Sequence, residues 1–475
     1  MKSTVITIGI VWISSIGLFA QQGKEAVFES IEAKYDAYRQ IAHRIWEYAE
    51  VGFQEENSSR LLQQTLRDAG FTIEANVAGM PTAFVASYGS GEPVVGIMGE
   101  YDALPGLAQA AVPAPQPIEG QIAGHACGHH LFGTASAAAA IAVKEWLEAN
   151  GQAGTIRFYG TPAEEGGGGK VYMVRAGLFD DVDAMLHWHP GDQNSVSFGS
   201  TLSNVSGKFR FYGQASHAAG APHRGRSALD AVEAMNYMVN LMREHVTEKT
   251  RIHYVITRGG EAPNVVPAFA EAYYYVRHPD PREVKSMWER VVKAAEGAAL
   301  GTGTRMDYEI TNGVYNILPN EILAKIMQQN LEMIGGYTYT DEERAFAEKI
   351  QASFSGEVPD LNSTAEVLPL ARRDGSASTD VADVTWVVPT IGLRSATWVP
   401  GTSAHSWQAV AAGGMSIGHK GMMIAAKTMA STMVDLFASP AYIEQAQDEL
   451  AQRRGKDFRY EALLGDRPPA LDYRK

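Results

Sequence analysis

Cys127 is the only cysteine in the chain and lies within Gly124-His125-Ala126-Cys127-Gly128-His129-His130. A lone cysteine forms no intramolecular disulfide, and a thiolate flanked by imidazoles suits a transition metal. Five groups are candidate ligands: Cys127, His129, Glu165, His189 and His405. Thiolate, imidazole and carboxylate all bind zinc or manganese. Cys-Gly-His places two donors two residues apart, as a turn around an ion requires. Glu164 and Glu165 are adjacent, and neighbours on an extended segment point in opposite directions. One of the two can therefore ligate while the other faces substrate and moves a proton. Five donors exceed the four of a structural zinc site, which points to two divalent ions. His187 competes with His189 for its place, and His125 and His130 compete with His129.

The elements that must position these groups are short buried strands. Val94-Val95-Gly96-Ile97-Met98 leads into Glu100-Tyr101-Asp102, Thr155 to Tyr159 leads into Glu164-Glu165, and Asp183 to Leu186 leads into His187-Trp188-His189. Ligand sites of open α/β sheets lie beyond the carboxyl ends of strands, so the chemistry is expected at one edge of a central, mostly parallel sheet flanked by helices. Residues Glu25 to Gly70 read as helical, and so does Gly133 to Ala149. From Gly207 the order becomes β-α-β-β-α-β, a ferredoxin-like inserted unit over 207–315. The expected organisation is a first catalytic segment over 25–206, that insertion, a second catalytic segment over 316–440, and a charged, helical tail over 441–475. Glu343 to Asp374 reads as a family-specific insertion.

Lys+Arg 40 against Asp+Glu 54 gives a net charge of −14. That balance opposes nucleic acid or an anionic membrane as the main partner, whereas a local arginine pocket can still hold a small anion. Lys2, the apolar stretch Val5 to Phe19 and the small-residue site ending at Ala20 read as an export signal over 1–20, giving a periplasmic or secreted protein without stable membrane insertion. The stretch is short for a membrane anchor.

Seven motifs occur in order: Gly99-Glu100-Tyr101-Asp102-Ala103-Leu104-Pro105-Gly106, His125-Ala126-Cys127-Gly128-His129, Pro162-Ala163-Glu164-Glu165-Gly166, Trp188-His189-Pro190, Ser216-His217 with Pro222-His223-Arg224-Gly225, Asn264-Val265-Val266-Pro267, and Ser378-Thr379-Asp380-Val381. From about Glu25 to about Phe437 this set resembles the co-catalytic metallopeptidases that include aminoacylase and glutamate carboxypeptidase. The nearest branch is that of the p-aminobenzoyl-glutamate hydrolases, with the indole-acetyl-amino-acid amidohydrolases as neighbours. The resemblance implies a two-metal domain interrupted by a lid that also forms a homodimer, and a small anionic N-acyl amino acid or dipeptide as substrate. It implies Cys127, His129, Glu165, His189 and His405 as ligands of two zinc or manganese ions, Glu164 as general base, and Asp102 as support behind a ligand. It further implies that His217 and Asn264 reach substrate, one or both across the dimer, and that Arg277 binds a substrate carboxylate. Counting from Asp183-Ala184, the family ligand falls on His189. Several relatives carry an acid where this chain has His130, so the support of His129 is a point for the structure to resolve. The run Tyr273-Tyr274-Tyr275 is expected to place rings on the dimer interface. The competing readings are a broad dipeptidase or aminoacylase and a non-catalytic metal- or peptide-binding module. A two-metal phosphoester hydrolase would need a more oxygen-rich ligand set.

Overall fold

A computed structural model describes residues 23–474. The export signal read over 1–20 lies outside them. Among the described residues no helix is long and apolar enough to cross a membrane.

Strands β1 (Thr72–Ala75), β2 (Phe84–Ser90) and β3 (Val94–Gly99) precede a two-residue ribbon of β4 (Leu104–Pro105) and β5 (Ala123–Gly124). Then come β6 (Gly154–Gly160), β7 (Ala184–Gly191) and β8 (Ser195–Val196), the inserted strands β9 (Ser203–Tyr212), β10 (Arg251–Arg258), β11 (Phe269–His278) and β12 (Arg305–Val314), and finally β13 (Thr390–Ala396). The central sheet has the order β1-β2-β6-β3-β7-β13-β8. It is mixed rather than mostly parallel. The four inner strands β6-β3-β7-β13 run parallel, whereas β1, β2 and β8 add antiparallel edges. Strand β3 is buried at every position, as a run of Val, Gly, Ile and Met sandwiched between helices must be.

The helix His129–Asn150 is buried almost all round and shares one core with Ser416–Ala438, whose Met422, Met429 and Met433 fill the space its alanines leave. A helix without a polar face belongs to the interior. It starts four residues earlier than Gly133, which puts His129 and His130 in its first turn. The helical reading of Glu25 to Gly70 holds for 23–33, Tyr35–Tyr48 and Glu56–Asp68, with a break at Ala49–Glu55. That break delivers Glu55 to the interior, fully buried.

The insertion forms a four-stranded antiparallel sheet of order β10-β11-β9-β12, backed by the helices Ala228–Met242 and Pro281–Thr302. This is the β-α-β-β-α-β order read from the sequence. Beyond Pro440–Arg454 the tail departs from the expected helix. Residues 455–474 are irregular and fold back, with Leu464, Leu471 and Tyr473 joining the core around Phe53 and Tyr172.

Candidate metal centre

The three parallel strands β3, β6 and β7 end at one edge, and each hands a loop to the same place. Gly128 turns the chain between Cys127 and His129 with a φ of 76°, a left-handed value that favours glycine. A Cβ there would also lie 2.7 Å from the Pro190 ring, so the close approach of this turn to the end of β7 needs glycine twice over. After β6 the chain reaches Glu164 and Glu165 through Ala163, which holds a φ of 56°. The loop is pinned on all sides. Ala163 N–H donates to Glu55 Oε1 at 2.8 Å and Glu165 N–H donates to Asp102 Oδ2 at 2.8 Å. The Glu165 carbonyl accepts from Tyr473 Oη and Arg474 Nη2, each at 2.9 Å. The C-terminal residues thus clamp the loop that carries the paired glutamates, a role that a charged, helical tail would not have.

All five proposed ligands converge. The donor atoms of Cys127, His129 and His189 lie within 4.8 Å of one another, and so do those of Cys127, Glu165 and His405. These two triplets share one sulfur, and a third, formed by Glu100, His129 and Glu164, shares His129 with the first. His129 Nδ1–H donates to Asp102 Oδ1 at 2.9 Å and faces the Asp102 carbonyl at 3.1 Å, which leaves Nε2 as the ring atom directed at the cluster. His189 Nδ1–H donates to the Pro190 carbonyl at 2.7 Å, so its Nε2 faces Cys127 Sγ at 3.4 Å. Each ring is held in the tautomer a metal ligand requires. His405 has a φ of 60° and donates its N–H to the Ala126 carbonyl, while its Nε2 lies 3.2 Å from Glu165 Oε1. The competing imidazoles stand in none of these donor groups, although His187 also lines the cavity. His125 and His130 bond the carbonyls of Ile45 and Gly413, and the His187 ring lies over Gly392. Asp102, not residue 130, supports His129.

The electrostatics call for cations. Glu55, Glu100, Asp102 and Asp380 are buried around the cluster, yet Lys170 is the only buried lysine or arginine among the described residues. Its ammonium is already shared between Glu100 Oε1 at 2.7 Å and Asp380 Oδ1 at 2.8 Å. Burial opposes charging of His129, but the carboxylates of Glu100 and Asp102 override it and hold the ring well above the ordinary imidazole range. Burial, reinforced by Glu100 and Glu165, likewise pushes the Glu164 carboxyl well above the usual carboxylate range. Buried His129 Nε2, Glu100 Oε2 and Glu165 Oε1 make no aligned hydrogen bond, although Nε2 lies 3.1 Å from Glu100 Oε2. Unsatisfied donors of these types, in a pocket with surplus negative charge, fit a pair of divalent ions.

His217, Asn264 and Arg277 sit on the insertion and do not line the cavity of this cluster. His217 and Asn264 are neighbours, since Ala218 N–H donates to the Asn264 carbonyl at 2.9 Å. The His217 Nδ1 accepts from Ala219 and Gly220 N–H at 3.2 and 3.0 Å. The neutral ring therefore carries its proton on Nε2 and offers a donor outward. Arg277 packs over the Tyr275 ring at 5.4 Å, and its buried Nε has no hydrogen-bond partner. Lys170 is a site residue that the sequence alone did not single out. Its one signal is its place directly after four glycines, beyond the paired glutamates.

The profile of Peptidase family M20/M25/M40 matches residues 96–363, more than half of the chain. The chain is 45% identical over 451 residues to one of the subunits of p-aminobenzoyl-glutamate hydrolase from Escherichia coli, covering 89% of this chain and 94% of that one. It is 28% identical over 442 residues to the Xaa-Arg dipeptidase of Mus musculus, covering 90% and 91%. The YXEP protein of Bacillus subtilis, a dinuclear metal-binding peptidase, superposes with a TM-score of 0.58 at 17% identity, covering 86% of this chain and 99% of that one.

Proposed function

Since this chain belongs to peptidase family M20/M25/M40 and is a hydrolase of amide bonds, we propose that it cleaves N-acyl amino acids of the p-aminobenzoyl-glutamate type at two divalent ions, zinc or manganese. Cys127, His129, Glu165, His189 and His405 would hold them. The observation that carries this reading is the pair of donor triplets joined at Cys127 with Glu164 in the same cavity. The ions, when bound, supply Lewis acidity toward water and the scissile carbonyl. Glu164, in the same cavity, would accept the proton of the attacking water and return it to the leaving amine. The outward Nε2–H of His217, with Asn264 beside it, would donate to the oxyanion of a second copy's site across the dimer, because neither residue lines the cavity of its own chain. Arg277 takes the main-chain carboxylate of the substrate in its planar fork.

The test is a substrate panel on metal-loaded protein with and without chelator. Release of p-aminobenzoate from p-aminobenzoyl-glutamate is expected to exceed cleavage of simple dipeptides and N-acetyl amino acids by at least about tenfold, and chelator is expected to abolish it. Faster cleavage of dipeptides would instead favour a dipeptidase, and metal binding without any turnover would favour a binding module.

The dimer would form through the insertion. In its tyrosine run Tyr274 is buried, while Tyr273 and Tyr275 lie half-buried on the opposite face of the sheet. Of the two edge strands, β10 carries exposed apolar residues: Val255 and Ile256 stand 58% and 44% exposed, and Tyr237 and Leu241 of a flanking helix are exposed too. An apolar open edge invites pairing with a second lid. The partner would be another copy, or a protein of a second kind, since p-aminobenzoyl-glutamate hydrolase of E. coli has more than one kind of subunit. Sedimentation of the purified chain is expected to give a dimer at micromolar concentration and a monomer for Val255→Asp/Ile256→Asp. A monomeric parent chain would rule out the homodimer.

A further inference from the structure

The cavity that opens on the ligand cluster has a volume of about 450 Å³ and is lined by two arginines, Arg373 and Arg394. Both side chains are exposed to it. Among the described residues neither guanidinium has an ion-pair or hydrogen-bond partner. In a chain with 54 acidic and 40 basic residues, two unpaired guanidiniums in one acidic cavity call for an anion from outside.

Their placement is built rather than incidental. Arg394 lies on β13, with its Cα in register with His189 of β7 and Ser195 of β8, so two strand ladders fix it beside a metal ligand. Arg373 lies in the segment read from the sequence as an insertion. That segment runs along 194–202 as an irregular ladder. Leu368 N–H donates to the Asn194 carbonyl, Arg373 N–H to Phe198, Gly375 N–H to Ser200, and Leu202 N–H to Ala377, at 2.8–3.0 Å. Gly199 permits the approach, because a Cβ there would fall 2.0 Å from the Arg373 carbonyl oxygen. The nearest acid in sequence, Asp374, is occupied by Ser200 N–H and Arg372. Arg373 is thereby left free.

We propose that Arg373 and Arg394 form a subsite for the side-chain carboxylate of the substrate's amino acid, selecting acidic residues such as glutamate over their neutral amides. The proposal rests on the amide-hydrolase reading for the orientation of the substrate. Arg277 is on the lid and remains available for the main-chain carboxylate, so the fixed wall and the lid bracket a dianion.

Two measurements separate this subsite from the catalytic reading. The first is calorimetric binding of L-glutamate and L-glutamine, leaving groups that no turnover can consume, to metal-loaded protein. The parent chain is expected to prefer glutamate by roughly 10–100-fold, the scale of a charge-assisted hydrogen bond to a buried ligand. Arg373→Gln and Arg394→Gln should each reduce that preference, and the double variant should bring it near unity. The second is kcat/KM for p-aminobenzoyl-glutamate against p-aminobenzoyl-glutamine, where the same ratio should collapse toward unity in the double variant. No preference in the parent chain, absence of binding to either amino acid, or full preference in the double variant overturns the subsite. Failure to hydrolyse either amide while the arginine-dependent preference persists overturns the catalytic reading alone.

Discussion

Glu164→Gln is expected to lower kcat by about 10²–10⁴-fold while leaving metal content and KM near those of the parent chain. The substitution keeps size and hydrogen-bonding capacity but removes the group that accepts a proton. Nothing that holds the loop depends on the Glu164 carboxylate. The main chain around it is fixed by Glu55, Asp102, Tyr473 and Arg474 through the backbone atoms of Ala163 and Glu165. Both carboxylates stand in donor triplets, Glu165 with Cys127 and His405 and Glu164 with Glu100 and His129, but only Glu165 is among the five ligands assigned to the ions. Glu165→Gln should therefore lose metal, and Glu164→Gln should lose only turnover. Metal analysis alongside steady-state kinetics reads both. A Glu164→Gln protein with more than about a tenth of parental kcat would assign the proton transfer to another group.

The donors were legible because their types are rare and their positions follow strands. A lone cysteine between histidines, paired glutamates after a strand and a histidine before proline each stand out in a linear text, and the ends of β3, β6 and β7 bring them together by topology. The insertion was legible for a similar reason, since its alternation of strand and helix periods is unbroken. What escaped the reading is held by contacts between distant segments. Lys170 looks like any lysine until Glu100 and Asp380, 70 and 210 positions away, close on it. Tyr473 and Arg474 sit in a charged C-terminal stretch whose composition suggests solvent, yet they reach the Glu165 carbonyl. Arg373 lies in a segment with no regular period, because its ladder with 194–202 is irregular and carries no alternation. The antiparallel strands β1 and β2 lie between helix and parallel core, and the short apolar run Ala83-Phe84-Val85-Ala86 between Pro81 and Gly89 is the one mark of β2 in the sequence. The tyrosine run alternates faces as its strand period implies, with Tyr274 buried and Tyr273 and Tyr275 half-buried on the other face, whereas the open edge at β10 follows only from the sheet order.

Replacing Cys127 with alanine is expected to release both ions, not one. If the ions occupy the two triplets, Cys127 is the sole donor common to them, with His129 and His189 on one side and Glu165 and His405 on the other. Loss of an outer partner of a ligand typically costs 10–100-fold in metal affinity, so loss of a shared ligand should cost roughly 10²-fold or more at each site. His189→Ala and His405→Ala each remove a donor from a single triplet and should leave about one ion per chain. The fold should survive all three. The cysteine-to-alanine change deletes one sulfur from a turn already fixed by Gly128 and by the helix His129–Asn150, and small truncations of this kind cost about 1 kcal/mol. Metal content per chain, with circular dichroism to confirm folding, distinguishes the cases. Two ions retained by folded Cys127→Ala would show that the sulfur bridges nothing, and the joined triplets would then be a coincidence of packing. Near-zero metal in that variant, with one ion in each histidine variant, is the pattern that only a shared thiolate produces.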